Sequence, residues 1–293
     1  MPQGRPIASL SRRRFLWGTV ATGMASWARA TNPAALRPFL EWDEAVLESI
    51  KSSAHNPCLT ARSLAILHQA VHDAFASQSG HPTLLKPSDG LSTPPAAAAA
   101  TAAVAASRVA ITLFPAHRPL FEKRLVAQLE KTDDGARQAA VDAGTAWATA
   151  HLDARADDGA SRAITYVPRR GPGLWQRTPV RHRPPEMPHW GGVRPFAMKS
   201  GRQFRPGPPP PLASPEYAAG WSDVRDFGGA ASQARSEAET TIARFWSLFS
   251  YTVTPAGHWN IVLGEMAEKR SLPVLDTLRA YALLATTMAD ASI

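Results

Sequence analysis

Apolar positions early in the chain recur at helical intervals. Leu64, Leu67, Val71, Ala74 and Phe75 fall at i, i+3, i+7, i+10 and i+11, a spacing that lines one face of an α-helix. That stretch is expected to be an amphipathic helix turned toward a core. Residues 96–106 are nearly all alanine, the strongest helix former, and the run closes at Phe114-Pro115, where the proline stops it. Val104, Val109, Ile111 and Leu113 give this helix an apolar surface to bury, which favours a close-packed helix over low-complexity coil. Periodicity of this kind runs from near Pro38 to about Asp157, and residues 31–165 form a first helical block.

The pattern breaks at Tyr166. Between 166 and 206 the chain carries eight prolines, eight arginines and Lys199 against Glu186 alone. Proline denies the backbone regular hydrogen bonding. Trp175, Trp190 and Phe196 argue for an irregular segment, 166–213, pinned onto a surface, since disordered chain is poor in aromatics. Helix returns at Ser214, an N-cap with Glu216 in the first turn. Further helices are expected over about Ser232–Tyr251, Gly257–Lys269 and Pro273 to the end, making 214–293 a second helical block. No alternating strand pattern occurs, so the fold class is all-α, a helical bundle with a long Pro/Arg/Trp-rich irregular segment.

The first thirty residues read as a processing segment. Ser11-Arg12-Arg13-Arg14-Phe15-Leu16 matches the twin-arginine export pattern, an uncharged stretch runs from Leu16 to Ala28, and Ala28-Arg29-Ala30 is a small-x-small cleavage site. The uncharged stretch falls short of the roughly twenty residues a membrane span needs, so the expected destination is the periplasm or the exterior, with no membrane span once the leader is removed. Arg12, Arg13, Ala28 and Ala30 are the signal residues. The five leader arginines stand without an acid, so the formal +8 of the whole chain becomes +3 for the mature part, a weak sign of nucleic-acid binding. The 166–206 stretch alone carries +8, leaving −5 elsewhere. Arginine beside tryptophan also suits single-stranded nucleic acid, but export removes that partner, and no nucleic acid is expected. A single cysteine, Cys58, excludes an internal disulfide.

Six stretches occur in a telling order: Ala65-Ile66-Leu67-His68-Gln69-Ala70-Val71-His72-Asp73-Ala74, Gly171-Pro172-Gly173-Leu174-Trp175, Pro208-Pro209-Pro210, Phe245-Trp246, Gly257-His258-Trp259-Asn260 and Ala289-Asp290-Ala291. Together they resemble landmarks of the bacterial vanadium haloperoxidase-like proteins, which share their helical architecture and anion site with type 2 phosphatidic acid phosphatases. The resemblance implies an oxidoreductase or phosphatase ancestry, with vanadate as the cofactor of a complete member. A tetrahedral oxyanion needs forked guanidinium donors, a lysine, helix N-terminal amides and an axial histidine. The family supplies them from Lys…Arg-Pro, Pro-Ser-Gly-His and Ser-Arg-x-x-x-Gly-x-His stretches beyond Ala-Asp-Ala, and none of these occurs here. Ser79-Gly80-His81 spells part of one, but Gln78 replaces the proline and the order is wrong. No catalytic, cofactor-binding or metal residue is therefore assigned. The expectation is a chain apparently truncated to the N-terminal helical half and inactive alone, whose partner is the missing catalytic half or a second copy. The alternatives are a non-catalytic exported partner-binding protein and an acid phosphatase relative.

Six residues remain as pocket or structural candidates. His68 and His72 share a helix face, with Asp73 adjacent, a spacing that ligates zinc when a third ligand is present; hydrogen bonding inside the bundle is the better reading. His258 and Asn260 are expected to fix a loop to a helix start, and Asp290 to be solvated. The last helix carries an apolar stripe at Leu275, Leu278, Ala282, Ala285 and Ala289 without a glycine cap, and that face is expected to be partly exposed.

Overall fold

The computed structural model describes residues 33–85, 97–249 and 251–293. Among them are nine α-helices and no strand: α1 (Pro33–Ser52), α2 (Pro57–Ala76), α3 (Ala98–Leu113), α4 (Arg118–Leu129), α5 (Asp134–Asp153), α6 (Pro215–Gly228), α7 (Glu237–Phe245), α8 (Thr254–Lys269) and α9 (Val274–Ala291). The leader residues Arg12, Arg13, Ala28 and Ala30 lie outside the described residues.

Local chemistry starts several helices. The Asn56 side chain accepts from the Cys58 amide ahead of α2, with Pro57 in the first turn. Asp133 caps α5, and Ser214 caps α6, which opens on Pro215. Ser236 and Glu239 form a reciprocal capping box on α7. Each device satisfies amides that the first turn leaves without partners.

Helix α2 is the axis of the bundle, packed against α3, α5, α8 and α9. It is more than the one-faced helix its spacing predicts: Thr60, Ser63, His68, His72 and Asp73 are buried as thoroughly as the leucines. Buried polar groups are tolerable only when hydrogen-bonded, and His68, His72 and Asp73 each have partners. The alanine-rich α3 lies so close to α5 that a Cβ on Gly144 would meet the Thr101 carbonyl at 2.5 Å and Val104 Cβ at 2.6 Å. Small side chains on both helices allow that approach.

The stripe on α9 is covered. Leu278, Ala282, Ala285 and Ala289 are buried against α2 and α8, which overturns the expectation of an exposed α9 face. Helices α6 and α7 contain no buried residue. Trp221 and Val224 on α6, Ile242 and Phe245 on α7 and Trp246 just after it are exposed, as are Trp259 and Met266 on the outer side of α8. Helix α7 is also shorter than its pattern suggests, and α8 starts earlier, at Thr254.

Candidate functional site

The sequence candidates separate into three buried polar clusters and one exposed aromatic cluster. His68 of α2 meets Asp43 of α1, with Nε2 3.1 Å from Oδ1, and the Asn260 amide of α8 donates to the same oxygen at 3.0 Å. His68 Nε2 and Asn260 Nδ2 stand 2.8 Å apart. Asp43 Oδ1 has the lone pairs to accept from both, and the role of His68 Nε2 between Asp43 and the Asn260 amide is set by the ring's tautomer. Tyr281 of α9 stacks on the His68 ring at 4.7 Å and donates to the Asn260 carbonyl at 3.2 Å. Burial, and after it the Asp43 carboxylate, pushes the Tyr281 phenol up. This knot ties four helices together at the bundle centre and presents no group to solvent.

Asp73 carries a second cluster and is fully buried. It accepts from His72 Nδ1 at 2.8 Å, His151 Nε2 of α5 at 3.0 Å, and the Leu84 and Leu85 amides at 2.9 Å. Burial alone would raise this carboxyl, but the His151, His72 and backbone donors outweigh it and hold the group at about 2. His68 and His72, although on one helix face, therefore serve different partners. Among the described residues no group of three His, Cys, Asp or Glu side chains is placed to hold a metal ion.

The third cluster pins the arginine-rich segment. Asp158 accepts from Arg62 Nε at 2.7 Å, Arg155 Nε at 2.9 Å and the Ala160 amide at 3.0 Å. Burial opposes ionisation of Asp158, and Arg62 and the Ala160 amide more than reverse it, so its carboxyl is held low. Arg155 also donates to the Pro195 carbonyl at 3.0 Å and to that of Arg194, with its guanidinium 3.8 Å above the Phe196 ring. Asp290, expected to be solvated, is buried and accepts from three successive amides, Phe196, Ala197 and Met198, at 2.6, 2.9 and 2.8 Å. Trp190 is buried and its indole N–H reaches Ser292 at 3.1 Å, whereas Trp175 is exposed. Of the three aromatics expected to pin the segment, Trp190 and Phe196 pack against the bundle and Trp175 does not; buried charge adds to their hold.

A cavity of about 390 Å³ opens beside this cluster, lined by Leu59, Arg62, Ile66, Leu113, Leu152 and Arg155 among others. Arg155 is fully committed to Asp158 and the loop carbonyls, and Arg62 holds Asp158 and the Arg155 carbonyl. The forked donors an oxyanion requires are turned onto the protein itself, and each buried histidine faces a carboxylate. These residues do not fit vanadate or phosphate. His81 of the partial motif is exposed on the turn after α2.

His258, in the first turn of α8, sits edge-on to Phe245 and Trp246, 5.4 Å from each ring, and Trp246 stacks on Trp259 at 5.9 Å. It sits between the end of α7 and the start of α8. Asn260, in contrast, works within the helix bundle, not at a loop. Sequence reasoning missed Asp43, His151 and the Arg62–Asp158–Arg155 set. Asp43 carried no distinguishing signal, since it stands between Glu41 and Glu44 in the sequence and only the packing separates the buried carboxylate from the less buried ones.

No protein-family model matches the chain, and no curated protein does. A solved structure is similar over most of it: the crystal structure of a bacterial vanadium-dependent iodoperoxidase, with a TM-score of 0.71 and 23% identity, over 87% of this chain. The chain spans 66% of that protein. At this identity the likeness is one of fold, and the chain has the helical fold of a vanadium haloperoxidase across the portion the two share.

Proposed function

We propose that this chain is the front portion of a vanadium haloperoxidase-like bundle, inactive alone, whose oxyanion-binding groups are supplied by further helices. Those helices belong either to the same polypeptide or to a separate one. The observation that carries this reading is the apolar surface of α6, α7 and the outer side of α8: among the described residues α6 and α7 contain none that is buried, whereas α2, α3 and α9 bury their apolar stripes. A helix with an apolar face normally covers it. The fold likeness to the iodoperoxidase supports the shared helical architecture, which leaves the haloperoxidase and phosphatase branches to be separated by assay. A complete member would use vanadate, and in this reading the groups that hold it come from the added helices. The leader pattern supports export to the periplasm or beyond by the twin-arginine route.

The test has two arms. The purified chain, given vanadate, peroxide and iodide or bromide, is expected to produce no oxidised halogen, and to leave a phosphate ester intact. The genomic sequence following the codon for Ile293 is then read in all frames for the Lys…Arg-Pro, Pro-Ser-Gly-His and Ser-Arg-x-x-x-Gly-x-His stretches, and whatever carries them is co-expressed. Vanadate-dependent halide oxidation restored by co-expression supports the proposal. Activity of the chain alone, lost on His81→Ala, sinks it.

A second reading has one specific observation behind it. The stripe on α9 is closed by α2 and α8 within the chain, so the bundle has its own core. A non-catalytic exported protein that presents the α6–α7 face to a partner fits that closure, and the absence of the three stretches from the following DNA would favour it.

A further inference from the structure

The segment from 166 to 206 gathers at one end of the bundle. Asn56, at the start of α2, donates to Glu186 at 3.1 Å; His189 meets the Ala160 carbonyl just beyond α5; and Asp290, at the end of α9, holds the 196–198 amides. From these anchors two stretches stand out in water, 177–184 and 202–212, exposed at every residue. They carry Arg177, Arg181, Arg183, Arg202 and Arg205, and among the described residues none of these makes an ion pair. With +8 on this segment and −5 on the rest of the mature chain, the molecule has a strong charge asymmetry with its positive pole at that end.

Apolar side chains are set among the cations. Val180, between the prolines and Arg181, is 93% exposed, and Phe204, between Arg202 and Arg205, is 76% exposed. Isolated exposed cations need no explanation, nor does a single exposed valine. Both together, on stretches anchored beside Glu186 and beside the 196–198 amides that Asp290 holds, have the composition of a bilayer-interface contact. Guanidinium groups meet lipid phosphates while short apolar tips enter the headgroup boundary. A single-stranded nucleic acid would instead call for flat aromatic platforms, and the Tyr166 and Trp175 rings meet edge to face at 5.9 Å, not as open stacking surfaces.

We infer that the arginine-rich end of the bundle is a docking surface for an anionic phospholipid bilayer, with Arg181, Arg183, Arg202 and Arg205 on the headgroups and Val180 and Phe204 inserted between them. This placement is independent of the haloperoxidase reading.

The experiment uses the full mature chain and vesicles of phosphatidylglycerol mixed with phosphatidylcholine, with pure phosphatidylcholine as the neutral control. Co-sedimentation is expected on the anionic vesicles only, and is expected to weaken steeply at about 0.5 M salt, where the Debye length falls to roughly 4 Å. Arg181→Gln with Arg183→Gln removes two surface charges, each contributing about fivefold near an anionic leaflet, so partitioning is expected to drop about thirty-fold. Phe204→Ser is expected to weaken binding at both salt concentrations. All three side chains are exposed, so unchanged circular dichroism and melting are expected and are measured alongside. No sedimentation with anionic vesicles, or sedimentation indifferent to the double variant, overturns the inference. Tighter capture by heparin or single-stranded DNA than by the vesicles overturns it as well, and reassigns the end to soluble polyanions.

Discussion

Replacing Asp73 by asparagine tests whether the buried carboxylate is what holds α2, α5 and the 84–85 turn together. The shape is kept and the charge is lost. The folded-state carboxyl lies at about 2 against an ordinary 3.8, and that difference corresponds to about 2 kcal/mol in favour of the ionised form. The amide adds a second cost, because its N–H₂ faces His72, His151 and two backbone amides, all donors. One donor left unsatisfied in a buried site costs roughly 1–3 kcal/mol, so Asp73→Asn is expected to lose about 4 kcal/mol at pH 7. That is a large fraction of the roughly 5–15 kcal/mol a domain possesses. Because the folded value is depressed, the charge term is fully present above 3.8 and is lost as pH falls toward 2. At pH 3 about half of the 2 kcal/mol is gone from the wild type. Urea unfolding followed by circular dichroism at pH 7, 5 and 3 reads both effects, with the m-value as the check that the unfolded state is unchanged. Equal stability of variant and wild type at pH 7, or a gap that stays constant down to pH 3, would refute the reasoning.

Asp290→Ala removes the acceptor for the Phe196, Ala197 and Met198 amides; trypsin is expected to cut at Lys199 and Arg202 sooner, with a loss of about 2–3 kcal/mol in urea unfolding. Gly144→Ala improves helix propensity by about 1 kcal/mol, yet its methyl would lie 2.5 Å from the Thr101 carbonyl, so a net lowering of the melting temperature is expected from overpacking of roughly 1–3 kcal/mol. A rise in melting temperature would mean that α3 and α5 part more easily than their packing indicates. Arg12→Lys with Arg13→Lys is expected to leave precursor in the cytoplasm, and N-terminal sequencing of exported wild type is expected to begin after Ala30. Exported protein that still begins at Met1 would contradict the leader assignment.

The sequence alone determined that the chain is helical, that a helix opens at the Ser214 cap, and that 166–213 is irregular; the short 3-10 turn at Trp190–Gly192 came from the structure. These are local properties: apolar spacing, caps and prolines act within a few residues, so they are written in order along the chain. The ordered landmarks beginning at Ala65 also pointed to the fold that the iodoperoxidase shares. What required the tertiary structure was the use of each polar residue. His68 and His72 are alike on one helix face, and only the packing sends one to Asp43 and the other to Asp73. Asp290 read as a solvated terminal carboxylate because its partners, three amides nearly a hundred residues upstream, leave no trace in side-chain identity; a backbone N–H is the same at every residue but proline. The α9 stripe failed for the same reason. A periodic apolar face says that something must cover it, and not which helix does; α2, buried on all sides, had a surface left for α9, while α6 and α7 were left with theirs bare.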